Sequence, residues 1–357
     1  MPGTMDASSP PSGFLQTARQ RYFCGSEGPR SLPASGSAAT FASVGLDDTF
    51  HLSAFKVSSS FKIISQSPSE IVFDLVGVET AIANALRRIL ISEIPTVAIE
   101  TVQIWQNTGV IQDEVLAHRL GLIPFVVDPE SLAFRGEHEE LTDENALCFF
   151  LNVKCTERDV NPYQNYLPVY AKDLKWIPLS LAQRERWASA PPRVVEDSIL
   201  ITKLGCGQLL ASLHEIELKA YLEKGIGKTH AKWSPVCTAV YRLLPELIIK
   251  EDPPFSPEEA KELKSLCPMG VFDIEDGHIV AKNPRNCTTC RMCLERFPSR
   301  VELRKIKNHF ICKKLQQSTG GIPASTLWVS ALRILQQKAR SIKANLLASA
   351  KALPQKG

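Results

Sequence analysis

The chain has 357 residues, of which 44% are hydrophobic and 22% charged, with a formal net charge of +3. It is long enough for two or three domains with cores of their own, and too weakly basic for a protein whose main affinity is for phosphate backbones. No run of roughly eighteen apolar residues marks a membrane span, and the start, "MPGTMDASSPPSG", lacks the charged and apolar stretches of a secretory signal.

Residues 1–46 are rich in Ser, Ala, Pro and Gly and read as a disordered arm, because they carry too little apolar surface to offset ordering entropy. From Phe55 to Val76 two apolar-alternating runs flank "QSPS", which predicts a β-hairpin. In "ETAIANALRRILISEIP", Ile82, Ala85, Leu86, Ile89 and Leu90 fall on one helical face, with Thr80 placed to cap the start and Pro95 to stop the end. Arg87 and Arg88 lie beside that stripe. "TVAIETVQIWQ" follows as a strand rich in β-branched residues.

"QDEVLAHRLGLIP" predicts a second helix, with Asp113 and Glu114 suited to its N-terminus and Gly121 and Pro124 ending it. Residues 125 to 250 are mixed, with prolines breaking strand-like runs such as "NALCFFLNVKC". "FSPEEAKELKSLCP" opens with a capping box: Ser256 at the N-cap, Pro257 at the first helical position and Glu259 at the third. A strand, "VELRKIKNHFIC", a turn, "STGGIP", and a long helix starting at "ASTLWVSALRIL" close the chain.

The cysteines carry the strongest local motif. "CTTCRMCLERFP" follows the ferredoxin run C-x₂-C-x₂-C-x₃-C-P until Phe297 replaces the fourth cysteine, and a separate Cys267–Pro268 pair stands upstream. In two-cluster ferredoxins the fourth cysteine of each run serves the other cluster. A distant Cys-Pro plus three cysteines at three-residue spacing is therefore the ligand set of a single cubane: Cys267, Cys287, Cys290 and Cys293. A [4Fe–4S] cluster is the first reading. Zinc is the second, since it usually takes two separate C-x₂-C knuckles. A site that holds nothing is the third, because a free cysteine also serves as a small buried hydrophobe. The ten cysteines suit a reducing compartment better than a disulfide framework.

No other chemistry stands out. "EKGIGKTHAKWSP" contains Gly-Lys-Thr, but Leu222 occupies the place of the first Walker A glycine, so a turn with exposed lysines is the better reading. His118, His230 and His309 are dispersed, and no nucleophile elbow, zincin helix or paired-carboxylate motif is present.

Four stretches together carry a family resemblance: "NALRRILISEIPTVAIE" (84–100), "DEVLAHRLGLIP" (113–124), "KGIGKTHAKWSPV" (224–236) and "VELRKIKNHF" (301–310). They resemble the larger alpha-like subunit of archaeal and eukaryotic RNA polymerases, the family of the archaeal D subunit and the bacterial alpha N-terminal domain. "GIGKTHAKWSPV" is most similar to the subunit shared by polymerases I and III. The resemblance covers residues 47 to 345. The chain departs from the family pattern at Leu209–His214 and at Lys313 and Lys314.

The resemblance implies an α+β fold with a discontinuous dimerisation domain (47–100 and 299–347), an inserted mixed β-rich domain (101–255), a small ferredoxin-like cluster domain (256–298) and a tail (348–357). It implies a non-catalytic subunit in the nucleus that heterodimerises with the smaller alpha-like subunit. The second-largest subunit and a small zinc-bearing subunit would be further partners, with DNA reached only through the complex and no membrane involved. The stripe of Ile82, Leu86, Ile89 and Leu90 then becomes an intersubunit face, with Arg87 and Arg88 at its rim. The alternative is a ferredoxin-type electron carrier.

Overall fold

The computed structural model describes residues 17–18, 20–30, 51–155, 166–205, 214–312 and 319–352. In chain order the strands are β1 (Arg21–Cys24), β2 (Pro29–Arg30), β3 (Ser60–Gln66), β4 (Ile71–Val76), β5 (Pro95–Asn107), β6 (Phe125–Val126), β7 (Ala146–Lys154), β8 (Tyr166–Tyr170), β9 (Lys175–Ile177), β10 (Arg193–Val194), β11 (Leu200–Gly205), β12 (Glu215–Ile226), β13 (Arg242–Ile249), β14 (Phe272–Glu275), β15 (His278–Ala281) and β16 (Val301–Cys312). The helices are α1 (Leu52–Ser58), α2 (Thr80–Ser92), α3 (Asp113–Gly121), α4 (Leu181–Arg186), α5 (Pro257–Leu266), α6 (Met292–Arg296) and α7 (Ala324–Ala352). Helix and sheet are thus mixed, as an α+β chain requires. Among the described residues no helix is long and apolar enough to cross a membrane.

Contacts divide the chain into two compact units, each assembled from separated segments. The first comprises Met1–Ile64, Val72–Asn84 and Tyr241–Lys313. Its sheet runs β2-β1-β16-β4-β3, and β13 also pairs with β16. The predicted hairpin is present but begins at Ser60, because residues 52–58 form α1 instead of strand. Strand β1 corrects the expectation of a disordered arm: Arg21 to Cys24 pair antiparallel with Ile306 to Leu303 of β16. Arg21 also bonds Glu246 at 2.8 Å, and the Phe23 and Tyr22 rings lie under Arg304 and Lys307. A polar, Ser-rich composition hides such a strand, since its stabilisation comes from a partner nearly three hundred residues away.

Asp74 of β4 is buried in this unit, yet it is held in the charged form. Burial opposes its charge, and the two-pronged Arg285 hydrogen bond (2.6 and 2.8 Å), with His309 at 3.2 Å, outweighs that and keeps the carboxyl below the usual range. Beside it, burial and the Asp74 charge push the Cys312 thiol up to about 12.

The second unit comprises Ser65–Ile71, Ala85–Val240 and Lys314–Gly357. Its sheet order is β5-β12-β7-β9, all antiparallel. Leu147, Phe149, Leu151, Leu218 and Leu222 from the sheet and Leu116 and Leu120 from α3 form one core. Helix α3 matches its predicted bounds, with both acids in its first turn. Cys155, buried after β7, is disulfide-bonded, in contrast to the reducing pattern expected from composition.

The "GIGKTHAKWSP" stretch begins in the last two residues of β12 and has a packing explanation. A side chain at Gly227 would lie 2.4 Å from the Ile91 carbonyl, and one at Gly225 would strike the Trp233 ring. Lys228 N–H donates to the Ser92 carbonyl at the end of α2. The glycines thus permit close backbone approach and do not cradle phosphate. Residues 209–213 and 313–314, where the chain departs from the family pattern, lie outside the described residues.

Candidate functional site

Two features can carry function: a pocket of cysteines and two apolar helix faces. The pocket is built by a sequence of local devices. The predicted capping box starts α5, with Glu259 N–H donating to the Ser256 hydroxyl (3.2 Å) and Ser256 N–H to the Glu259 carboxylate (2.9 Å). The helix ends at Leu266 and delivers Cys267 at its C-cap. Gly270, at φ +58°, turns the chain into the β14–β15 hairpin, whose tip is Asp276–Gly277 in left-handed conformation. A short 3₁₀ turn, Pro284–Asn286, then leads to Cys287.

Between Cys287 and Cys293 two non-glycine residues, Thr289 (φ +60°) and Arg291 (φ +69°), take left-handed backbone. Such conformations are uncommon and cluster where a loop wraps a functional centre. They curl the C-x₂-C-x₂-C run so that Thr289 N–H points at the Cys287 sulfur, 3.4 Å away. Arg242 holds the loop from outside by donating to the carbonyls of Cys287 and Arg285.

All four predicted cysteines line one small, largely apolar pocket with Leu247 and Phe272. Phe297, which replaces the fourth motif cysteine, packs in the core alongside. Burial raises the Cys287 thiol, opposed by the Thr289 N–H. Burial and then the neighbouring Cys287 and Cys290 push Cys293 up to about 11. Among the described residues no three or more Cys, His, Asp or Glu side chains are grouped as a single metal ion would need.

The predicted stripe on α2 is real, but its surroundings differ from the expectation. Leu86, Ile89 and Leu90 are only 3%, 2% and 0% exposed within this chain alone. They are buried within the chain itself, because periodicity identifies an apolar face and not what covers it. Ile82 and Arg87 are half-buried and Arg88 is exposed, so they alone of the predicted set reach the surface. Glu79, not Thr80, occupies the cap position: its carbonyl accepts from Ile82 and Ala83 N–H.

Helix α7 shows the open face that α2 lacks. Its first turns bury Ala324, Leu327, Trp328 and Ala331, and Ala324 N–H bonds the Pro68 carbonyl. Lys338 reaches Glu93 at 2.6 Å. From Gln336 to Ser349 every residue is exposed, including Ile342 (61%), Leu346 (65%) and Leu347 (54%). Leu332, Leu335, Ala339, Ile342 and Leu346 repeat at alternating steps of three and four, the seam of a helix that packs on another helix. Sequence reasoning found the helix and missed this seam, which the 3–4 spacing alone could have revealed.

Residues 72–339 match the family described as the RNA polymerase Rpb3/Rpb11 dimerisation domain. A Dictyostelium discoideum protein named DNA-directed RNA polymerases I and III subunit rpac1 is 39% identical over 337 residues, 93% of this chain and 94% of that one. The Saccharomyces cerevisiae protein named DNA-directed RNA polymerases I and III subunit RPAC1 is 40% identical, covering 83% of this chain and 90% of its own. The Dictyostelium discoideum RNA polymerase II subunit rpb3 is 29% identical, over 80% and 94%. With the family match running from β4 into the exposed half of α7, and with relatives this similar over nearly their whole length, the chain belongs to the RNA polymerase Rpb3/Rpb11 dimerisation-domain family.

Proposed function

We propose that this chain is a non-catalytic assembly subunit of DNA-directed RNA polymerases I and III, acting in the nucleus by heterodimerising with the smaller alpha-like subunit. The observation that carries the reading is the seam of α7, an apolar helix-packing surface left exposed among the described residues. The class of polymerase rests on the relatives: within Dictyostelium discoideum the protein named for polymerases I and III is 39% identical and the one named for polymerase II 29%. The names are those of polymerase subunits, which leaves the electron-carrier alternative without support. The second-largest subunit and a small zinc-bearing subunit are the further partners, and DNA is reached through the complex.

In this reading residues 47–100 and 299–347 form the dimerisation domain, residues 101–255 its insert and residues 256–298 the ferredoxin-like part. Ile82, Arg87 and Arg88 border the partner surface, while the buried leucines of α2 support it from within. Co-expression with the smaller alpha-like subunit tests this. The wild-type chain should co-purify with it at one to one, and Ile342→Asp with Leu346→Asp should abolish co-purification while the chain stays folded. Retention of the partner by that double variant would refute the reading.

A [4Fe–4S] cluster fits the cysteine pocket better than zinc does. Four thiols, an apolar wall and an N–H directed at Cys287 sulfur suit a cluster whose corners each take one thiolate, whereas zinc needs four sulfurs about 2.3 Å from one point. The bound cluster would contribute folding free energy to residues 256–298. The raised thiols must lose protons to bind it, so loading should strengthen with rising pH. Anaerobic reconstitution should give iron and sulfide near unity, lost in Cys290→Ser but retained in Phe297→Leu. Stoichiometric zinc without iron would favour the second reading, and no metal at all the third.

A further inference from the structure

The charge on α7 specifies more than a partner helix. The helix contains five cations, Arg333, Lys338, Arg340, Lys343 and Lys351, and no carboxylate. Placed on the seam, Leu332, Ala339 and Leu346 take one core position and Leu335 and Ile342 the other. The residues that flank the core are then Gln336, Lys338, Lys343 and Asn345. These flanking positions decide which chain a helix pairs with and in which orientation. Here they are cationic or neutral throughout. Lys338 already has Glu93. Arg340 and Lys343 are exposed, and no ion pair is formed by either among the described residues.

We infer that the distal half of α7, from Gln336 to Ser349, selects a partner helix whose flanking positions are acidic, and that the same charges bar two copies of this chain from pairing there. The inference rests on the dimerisation reading and deepens it by naming the partner's chemistry. A second copy would set Lys343 and Lys338 against the same cations across a seam, where like charges repel. It would also stack two short seams interrupted by Ala339 and ending at Ser349, which offer less apolar area than a Leu-rich partner. An acidic partner helix supplies carboxylates to Lys343, beside which Arg340 lies one turn back and just outside the flank, and its leucines cover Ile342 and Leu346. The apolar seam then supplies affinity and the cations supply specificity, the usual division between these two terms.

The test uses the full-length chain and two synthetic amphipathic helices of 24 residues, both with leucine at the core positions, one with glutamate and one with lysine at the flanks. Fluorescence anisotropy at low and high salt gives both affinities. The acidic helix should bind at least tenfold more tightly, with the difference shrinking at high salt. A variant carrying Arg340→Glu and Lys343→Glu should reverse the order. Because both residues are exposed, the variant should melt with the wild-type protein.

Equal binding of both helices, or no reversal, would overturn the inference. So would sedimentation showing a homodimer that Ile342→Asp dissociates. A 20-base-pair duplex bound more tightly than the acidic helix, and lost in the charge-reversed variant, would show a nucleic-acid surface and overturn it also. Co-purification with the smaller alpha-like subunit separates the two levels. If the wild-type chain fails to capture that subunit, the dimerisation reading falls. If capture persists unchanged in the charge-reversed variant, only the charge inference falls.

Discussion

Helices α2 and α7 both carry apolar stripes, yet the chain closes over Leu86, Ile89 and Leu90 of α2 and leaves Ile342, Leu346 and Leu347 of α7 in the open. Spacing makes the two look alike. What separates them is where the chain goes next: α2 is followed directly by β5 and by the close approach of Gly227 to Ile91, whereas α7 runs on past Lys338, its last ion-paired residue among the described residues. A helix half left exposed among the described residues gains little from propensity alone. Under the proposed function its apolar residues await a partner, while those of α2 are covered within the fold.

The comparison breaks most visibly at Leu90. Truncating it to alanine leaves a cavity in a fully buried site, so Leu90→Ala should lower the stability of the isolated chain by about 3 kcal/mol in urea denaturation. A loss under about 1 kcal/mol would mean that this stripe is covered only in the complex, and the contrast with α7 would collapse.

Asp74 extends the same contrast from apolar to charged groups. It is covered, while Asp273, held by Lys264 and Lys282, is not. Asp74→Asn strands Arg285, itself about a third exposed, and should cost on the order of 2 kcal/mol. Both carboxyls sit below their usual range in the folded chain, Asp273 mainly through its lysine hydrogen bonds. Each therefore stabilises above the unfolded carboxyl pKa, and that contribution disappears as pH falls through the folded one. The part due to Asp74 should survive 1 M salt, and the part due to the partly exposed Asp273 should be largely screened away. At the other end, Cys312 is raised to about 12, so its contribution is full below about pH 9 and fades as pH climbs toward 12. Cys312→Ala should flatten that alkaline limb in a pH series of melting curves.

How much of this was legible in the sequence depended on distance along the chain. The capping box at Ser256 and Glu259, the bounds of α3 and the convergence of four cysteines on one pocket all follow from residues close together or from a spacing rule. Strand β1 was missed because "RYFC" gains its place only by pairing with Leu303 to Ile306. The burial of the α2 stripe was missed for a related reason: one period describes both an internal face and an interface. The left-handed backbone at Thr289 and Arg291 had no sequence signal, since neither residue type favours it and the loop's closure imposes it.

Leu346 gives the smallest expected effect and the sharpest test of the contrast. It is 65% exposed, so truncation removes little that the isolated chain buries. Leu346→Ala should change the melting of the chain alone by no more than about 0.5 kcal/mol, and alanine, the better helix former, should if anything favour α7 slightly. In the proposed heterodimer the same residue closes the apolar seam, where a buried leucine contributes about 2 kcal/mol. The partner should then dissociate roughly thirtyfold more readily. Leu90→Ala should show the reverse pattern, with a large loss in the chain alone and a small further loss on pairing. If the two variants shift the free chain equally, the exposed half of α7 is packed by the chain itself, and the partner surface must be sought elsewhere.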